Sequence, residues 1–339
     1  MKRTLLTIAA AAWIAASLAA CRTAPSHPPT FKALHELAAL KPDKHSPLQD
    51  QQNMRKMTEL FQAMQFTPAD LARIRDSGDA RLLAGALTVA TADNPLTPEL
   101  LRLALSRASD DPALLAVLAY RVVLFQRSGA ISETEFLQTL DRWRKLEPEN
   151  SVPYYLEAAW WVNEGKLARA ARALAEASRL PKFDSYCAAL RLDAVAAGDF
   201  VGYPKFTARY LALTFPGQAL LANAGWWCLD WSGANEQVAR DCIVLGKRLE
   251  GEKTLLVGEL MGLTLQSAAM GKFPETGSEV ELKRVEERMK QIKEVGERVT
   301  ALSPRISESR FVAFLDEGLA GSEAAADEKL IAEYGDSSK

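Results

Sequence analysis

The order of apolar and polar residues predicts helices along almost the whole chain beyond Phe31. Alanine and leucine are abundant, β-branched residues are scattered, and no alternating apolar–polar run of strand length occurs. Helix starts carry the expected residues, since Thr67-Pro68 and Thr97-Pro98 each place a capping hydroxyl before a first-turn proline. The sequence therefore predicts an all-α fold.

Prolines recur at the predicted helix ends with a nearly constant period. Pro112, Pro148, Pro181 and Pro216 each end a helical stretch, and their separations are 36, 33 and 35 residues. A period in this range is typical of stacked helix pairs, because one pair cannot bury its apolar face alone. We expect repeat units within 79–251, at 79–112, 117–150, 151–181, 184–216 and 219–250.

The unit 151–181 shows the repeat pattern most clearly. Its first predicted helix places an aromatic, a small residue and an aromatic at spacings of four and three, and its second places alanine, leucine and alanine at the same spacings. These residues are Tyr154, Ala158, Trp161, Ala170, Leu174 and Ala177. The pattern, with a turn at Gly165, resembles the tetratricopeptide repeat, although Glu157 stands where that family prefers leucine. The resemblance implies a right-handed α-solenoid of antiparallel helix pairs.

The resemblance also implies a concave face lined by the first helix of each pair. The residue after the packing aromatic, and those four and eight positions later, would point into this groove. They are Arg121, Phe125, Tyr155, Ala159, Asn163, Asn223, Trp227 and Trp231. Aromatic residues at these positions would suit a peptide segment or stack on a sugar. The alternative interpretation is that these rings, and the adjacent Trp160 and Trp161, form ordinary packing between repeats.

The C-terminal segment 252–339 follows a different pattern. It predicts an apolar helix and then a long charged helix over 278–302, in which Val285, Ile292 and Val299 recur every seven residues. We expect the charged helix to pack on its neighbour with a solvated outer face rather than to form a separate coiled coil. Two shorter helices are expected to follow, so that the segment closes the array as a helical cap.

The N-terminus has the pattern of an export signal. Lys2 and Arg3 precede an uncharged apolar run from Leu5 to Leu18, which is too short and wrongly flanked for a transmembrane helix. Leu18-Ala19-Ala20-Cys21 resembles the lipobox of bacterial lipoproteins. This implies that residues 1–20 are removed and that Cys21 becomes an N-terminus carrying acyl chains such as palmitate. The alternative is an ordinary secretory signal cut near Ala20.

The segment between this signal and the repeats indicates how the protein would sit at a membrane. Residues 21–30 are polar and proline-rich, so they predict an extended linker of roughly 25–30 Å, and 31–78 predict N-terminal helices. Arg22 follows the cysteine where an aspartate would indicate the inner membrane in Gram-negative lipoproteins. We therefore expect the outer membrane more than the inner one, with the folded part in the periplasm or at the surface.

Charge and cysteine content narrow the possible partners. Loss of Lys2 and Arg3 with the signal changes the formal net charge from −2 to −4, so nucleic acid is not expected as a partner. Cys228 and Cys242 fall on the two predicted helices of one hairpin and could form a disulfide in an exported protein. The favoured interpretation is that these two and Cys187 are small buried hydrophobic residues.

The sequence carries no catalytic motif that we recognise. Its three histidines, His27, His35 and His45, lack metal-ligand spacing, and no nucleophile elbow, phosphate-binding loop or dinucleotide fingerprint occurs. We expect no catalytic residue, metal or cofactor. The predicted function is a membrane-anchored envelope scaffold that binds a protein partner. The alternatives are a glycan-binding surface lipoprotein and an unrecognised cell-wall enzyme.

Overall fold

The protein is all-α, as predicted. The computed structural model describes residues 64–91, 94–107, 110–126, 129, 131–252, 255–302 and 305–335, and these residues contain helices and no β-strand. The export signal, Cys21, the linker and most of the predicted N-terminal helices lie outside the described residues. The helices are α1 (Pro68–Ser77), α2 (Ala80–Val89), α3 (Thr97–Arg107), α4 (Pro112–Leu124), α5 (Glu133–Leu146), α6 (Val152–Asn163), α7 (Leu167–Arg179), α8 (Cys187–Val201), α9 (Lys205–Leu213), α10 (Gly217–Asp230), α11 (Glu236–Gly251), α12 (Leu256–Lys272), α13 (Glu279–Leu302), α14 (Glu308–Ala320) and α15 (Glu323–Gly335).

Local sequence signals account for where many helices begin and turn. The Thr67 hydroxyl accepts a hydrogen bond from the Asp70 backbone N–H while the Asp70 carboxylate accepts one from the Thr67 N–H, which closes a capping box at α1. The side chain of Asp111 caps α4 in a similar way. Gly165, between α6 and α7, has φ +68°, a conformation that favours glycine and confirms the predicted turn.

The predicted repeat units correspond to helix hairpins. The pairs α2–α3, α4–α5, α6–α7, α8–α9 and α10–α11 correspond to the five expected units, but α4 begins already at Pro112, which is predicted to end the preceding helical stretch, and α10–α11 runs from 217 to 251, slightly beyond its expected bounds. In the best-matching unit Ala158, Ala170 and Ala177 are fully buried, because α6 and α7 pack along each other. Small residues at these positions allow the two helices to approach closely.

The hairpins stack in an order that differs from their order in the sequence. One layer of the stack is a series of helices in which each packs on the next, in the order α2, α4, α6, α10 and α12. The first four of these helices each begin a hairpin, and the second helix of that hairpin contacts the next helix of the series. The hairpin α8–α9 is left out of the series, because α10 packs directly on α6 while α8 lies along α2. The helix pairs therefore do not stack in an uninterrupted series that follows their order in the sequence.

A close backbone contact holds α8 against α2. A Cβ added at Gly85 would lie 1.9 Å from the carbonyl oxygen of Asp193, so only glycine fits there without a shift. The Asp193 carboxylate pairs with Arg81 at 2.9 Å. At the other end of the hairpin, the ring of Phe215 packs edge-on against Tyr120 with centroids 5.3 Å apart. The chain thus covers part of α2 and α4 with its own α8–α9 hairpin.

The C-terminal helices close the molecule. The charged helix α13 packs on α12 and buries Val285 and Ile292, so the expectation of a packed helix with a charged outer face is confirmed. The helix α14 contacts α8 and α9, and α15 contacts α13 and α14. These last two helices therefore connect the excluded hairpin to the end of the stack.

Candidate functional site

Arg121, predicted to face the groove, is buried instead. Its guanidinium donates a hydrogen bond to the Thr88 carbonyl oxygen on α2 and lies over the rings of Phe125 and Phe215, 5.3 and 5.6 Å from their centroids. Burial lowers the pKa of Arg121 to about 9. The prediction of an open groove is wrong at this residue because the returning α8–α9 hairpin covers this side of α4.

Tyr155, also assigned to the groove, belongs to the core. It is fully buried, its hydroxyl accepts a hydrogen bond from Arg248 Nη1 at 2.7 Å, and its ring packs against Phe183. Burial raises the pKa of the Tyr155 hydroxyl. Arg248 also donates to the Ala177 carbonyl oxygen at 2.9 Å. The groove prediction is wrong here because this side of α6 faces α7 and α11.

The other predicted residues of α4 and α6 join neighbouring units. Ala159 is buried and Phe125 is half-buried. Asn163 is exposed, but its side-chain amide donates a hydrogen bond to the Val123 carbonyl oxygen on α4 at 3.2 Å. Trp160 stacks on Phe136 with ring centroids 4.6 Å apart. For these residues the interpretation as packing between repeats fits best.

Trp227 on α10 is the one predicted aromatic residue that remains exposed to solvent. Trp227 is 59% exposed, and Asn223 is half-buried on the preceding turn of the same side. Trp231 is half-buried at the end of α10, where its ring covers Gly233. Beside Trp231 the α6–α7 turn, from Gly165 to Arg169, forms one wall of a shallow cavity of about 310 Å³.

The neighbouring helix α12 extends this open surface. Gly258 lies against Gln218, Gly225 lies against Leu265, and Lys272 donates a hydrogen bond to the Leu229 carbonyl oxygen. The pairs follow the same order along both helices, so α10 and α12 run parallel. Their open sides form one surface, which we call the α10–α12 face. It consists of Ala219, Leu220, Asn223, Trp226 and Trp227 on α10 and of Val257, Leu260, Met261, Thr264 and Ala268 on α12.

None of the ten residues of the α10–α12 face is charged, and the exposed charged residues of the two helices, Asp230 at the end of α10 and Lys272 at the end of α12, lie at one end of the face. Along α12 the charged residues are Glu259 and Lys272, and Glu259 is buried beside Arg288 at 2.6 Å. Val257 is 50% exposed. A helix that is apolar on all sides is ordinarily buried on all sides, so the uncharged sequence of α12 could have indicated a covered helix. The groove prediction, made from the repeat pattern, missed this half of the surface.

The two cysteines of the α10–α11 hairpin are free. Cys228 and Cys242 are buried and unbridged, as is Cys187. The Cys242 thiol donates to the Gly225 carbonyl oxygen at 3.3 Å, and burial raises the pKa of Cys228 to about 12. These contacts support the favoured interpretation, in which the three thiols act as small buried side chains.

A second, charged cavity lies at the other side of α12. It has a volume of about 870 Å³ and lies between α11, α12, α13 and α15. Three of its carboxylates form ion pairs at 2.6 Å, Glu250 with Arg284, Glu259 with Arg288 and Glu281 with Lys247. Burial raises the pKa of Glu250, but the hydrogen bonds from Arg284 and Gln266 outweigh it and lower the pKa overall. Within the part of the chain that the structure describes, no group of three or more metal-ligating side chains occurs.

Carboxyl groups with raised pKa lie on α8 (Asp193), on α11 (Asp241) and on α15 (Glu323 and Asp327), and none of them lines this cavity. Burial and the neighbouring Glu323 raise the pKa of Asp327 to about 7, and burial raises that of Glu323, whose carboxylate accepts a hydrogen bond from the Leu256 N–H at 2.6 Å. Two such groups converging in a cleft would favour the alternative of a cell-wall enzyme. The described geometry does not bring them there.

We expect Asp327→Asn to stabilise the protein above pH 7. Because the folded state raises the pKa of Asp327 from 3.8 to about 7, the wild type loses stability as the pH rises from about 4 to 7, where the buried carboxyl ionises. The gain for Asp327→Asn at pH 8 should be on the order of 2 kcal/mol, measured by urea unfolding. The exposed Glu328→Gln on the same helix is the control, and equal pH profiles for both variants would contradict the burial of Asp327.

Comparisons with known proteins add no relative to these observations. No family model, curated protein or solved structure matches the chain.

Proposed function

We propose that the protein is a lipid-anchored scaffold of the bacterial cell envelope that binds a protein partner through the α10–α12 face. The observation that carries this proposal is the exposed ring of Trp227 within a largely apolar surface. Exposed apolar surface that is continuous over two helices is typical of an interaction site. Tryptophan is also enriched among the residues that contribute most to protein binding.

The fold supports binding by leaving this surface free. The chain covers the equivalent side of α4 with its own Phe215, whose ring centroid lies 5.6 Å from the guanidinium carbon of Arg121. No described residue covers Trp227 in the same way. The packed core beneath α10, including the fully buried Leu221 and Cys228, would hold the face rigid when a partner binds.

The proposed anchor rests on the lipobox-like Leu18-Ala19-Ala20-Cys21 and on the proline-rich residues that follow it. None of the helices in the described ranges is long and apolar enough to cross a membrane. Several acyl chains on one residue provide stable attachment, since each buried methylene contributes about 0.8 kcal/mol. The linker would then allow the folded part to reach a partner away from the membrane surface.

Mass spectrometry of the N-terminal peptide tests the anchor. We expect the mature protein to begin at Cys21 with acyl chains attached, and we expect Cys21→Ser to shift the protein out of the membrane fraction. Ser26→Ala, in the linker, serves as the matched control and should remain membrane-bound. An unmodified N-terminal peptide, or a Cys21→Ser protein that stays firmly in the membrane fraction, would contradict the proposal.

A further inference from the structure

We infer that the partner of the α10–α12 face is an α-helix that presents an uncharged, apolar stripe and lies in the trough between α10 and α12. This inference rests on the proposed function and specifies the kind of partner. Four features of the surface support this inference: its shape, its hydrogen-bonding groups, its charge and the packing of α8 on the first helix of the stack.

The trough follows from the parallel pairing of α10 and α12. Gln218 and Gly225 face α12, so Ala219 and Trp226, one position further on and about 100° around the helix, line the adjacent edge of the trough. On α12, Met261 and Ala268 line the opposite edge. Two packed helices lie about 8–10 Å apart, and the groove between them accepts the ridge of side chains of a third helix.

The hydrogen-bonding groups of the face favour a helix over an extended peptide. Asn223 and Thr264 supply its few polar side chains, and Thr264 already donates its hydroxyl hydrogen to the Leu260 carbonyl oxygen at 2.6 Å. The described residues offer no β-sheet edge to pair with a strand. An extended segment would therefore bury backbone N–H and C=O groups without partners, whereas a helix satisfies these groups internally.

The lack of charge along most of the face limits the partner in the same way. The contact between α8 and α2 includes the ion pair of Asp193 with Arg81 at 2.9 Å, whereas charged residues of the α10–α12 surface, Asp230 and Lys272, occur only at the C-terminal ends of the two helices. A charged side chain pressed against this face would lose its hydration without gaining a partner. The contacting stripe must therefore be apolar, and any charges of the partner helix lie on its outer side.

Within the protein, one helix already packs across the first helices of the stacked hairpins. The helix α8 lies along α2 and contacts it through the backbone at Gly85. The N-terminal end of α8 reaches α10, where Arg191 donates to the Gln218 side-chain oxygen at 3.3 Å. Because Gln218 faces α12, this contact leaves the open side of α10 uncovered, and a partner helix on the α10–α12 face would continue the cover that α8 provides on α2.

Site-specific photo-crosslinking in cells tests the inference with the full-length, membrane-attached protein. A photoreactive amino acid replaces Met261 at the edge of the trough, and in a control protein it replaces Val280, which is 79% exposed on α13 and outside the face. Val257 provides a second trough position in case the Met261 variant melts at a lower temperature. The crosslinked peptide is then sequenced.

We expect both trough positions to capture one segment of another protein, with apolar residues recurring every three or four positions, and we expect the Val280 position not to capture it. Made as a synthetic peptide, that segment should gain helicity on binding, and a proline at its centre should weaken binding by about 100-fold or more, which corresponds to about 3 kcal/mol. The Trp227→Ala protein should bind the unmodified peptide at least about 30-fold more weakly.

The other outcomes separate this inference from the proposed function. A captured protein segment that stays extended, or that tolerates the proline, overturns the helical partner and leaves the scaffold intact. Capture of this chain's own residues, of a second copy or of a glycan overturns the inference and the proposed partner class together. If neither trough position gives a crosslink, that result contradicts the helical partner and the proposed binding function alike.

Discussion

Gly85→Ala is expected to destabilise the protein by about 3 kcal/mol or more, one of the largest losses for the addition of a single methyl group. The new Cβ would lie 1.9 Å from the Asp193 carbonyl oxygen and 2.8 Å from the Ala194 backbone nitrogen. Both contacts are with backbone, so α8 would have to move away from α2. Overpacking of this kind typically costs about 1–3 kcal/mol, and more when no side chain can yield. The free energy of unfolding in urea measures the effect.

Gly296→Ala is the matched control. Gly296 lies within the helix α13, and a Cβ added there meets no atom within 4 Å. Alanine is favoured over glycine inside a helix by up to about 1 kcal/mol, so this variant should be equally or more stable than the wild type. If Gly85→Ala were as stable as Gly296→Ala, the position of α8 against α2, and with it the order of the stack, would be wrong.

Trp227→Ala and Tyr155→Ala are expected to have opposite effects. The Trp227 ring is 59% exposed, so its truncation should leave helicity and melting temperature nearly unchanged and weaken partner binding by about 2 kcal/mol or more, at least about 30-fold. Tyr155 is buried and bonded to Arg248, so its truncation should cost about 3–5 kcal/mol of stability. Thermal unfolding and partner capture from solubilised envelopes distinguish the two.

The effect of Trp227→Ala on stability and on binding decides between three interpretations of this surface. A large loss of stability in Trp227→Ala would show that the ring is part of the core, and the binding face would fail at its most exposed residue. Retained stability with loss of oligosaccharide binding rather than of protein capture would support the glycan-binding alternative. Retained stability with unchanged protein capture would place the partner on a different surface.

Local features of the fold could be predicted from the sequence because they depend on neighbouring residues. Capping hydroxyls, first-turn prolines and the spacing of apolar residues mark the helices, and the turn at Gly165 needs only its own backbone conformation, φ +68°. The small residues at Ala158 and Ala170 likewise mark where the two helices of one hairpin meet. These features do not depend on which other part of the chain packs against the hairpin.

The candidate site could be predicted only in part, because the exposure of a residue depends on distant segments. Arg121 and Trp227 were assigned to the same face by the same rule, yet Phe215 covers Arg121 and nothing described covers Trp227. The difference arises from the return of α8 to α2, which depends on the close contact of Gly85 with Asp193 across more than a hundred residues. No periodicity within a repeat reports such a contact.

Thiol labelling of Val257→Cys in intact envelopes tests most directly whether a partner covers the α10–α12 face. The native Cys187, Cys228 and Cys242 are buried and the Cys21 thiol is acylated in the proposed mature protein, so a maleimide reports the introduced thiol, and Lys293→Cys on the charged side of α13 provides an exposed reference. We expect Val257→Cys to label as fast as Lys293→Cys in the purified protein and at least about tenfold more slowly in envelopes. Equal labelling of the two positions in envelopes would contradict the account.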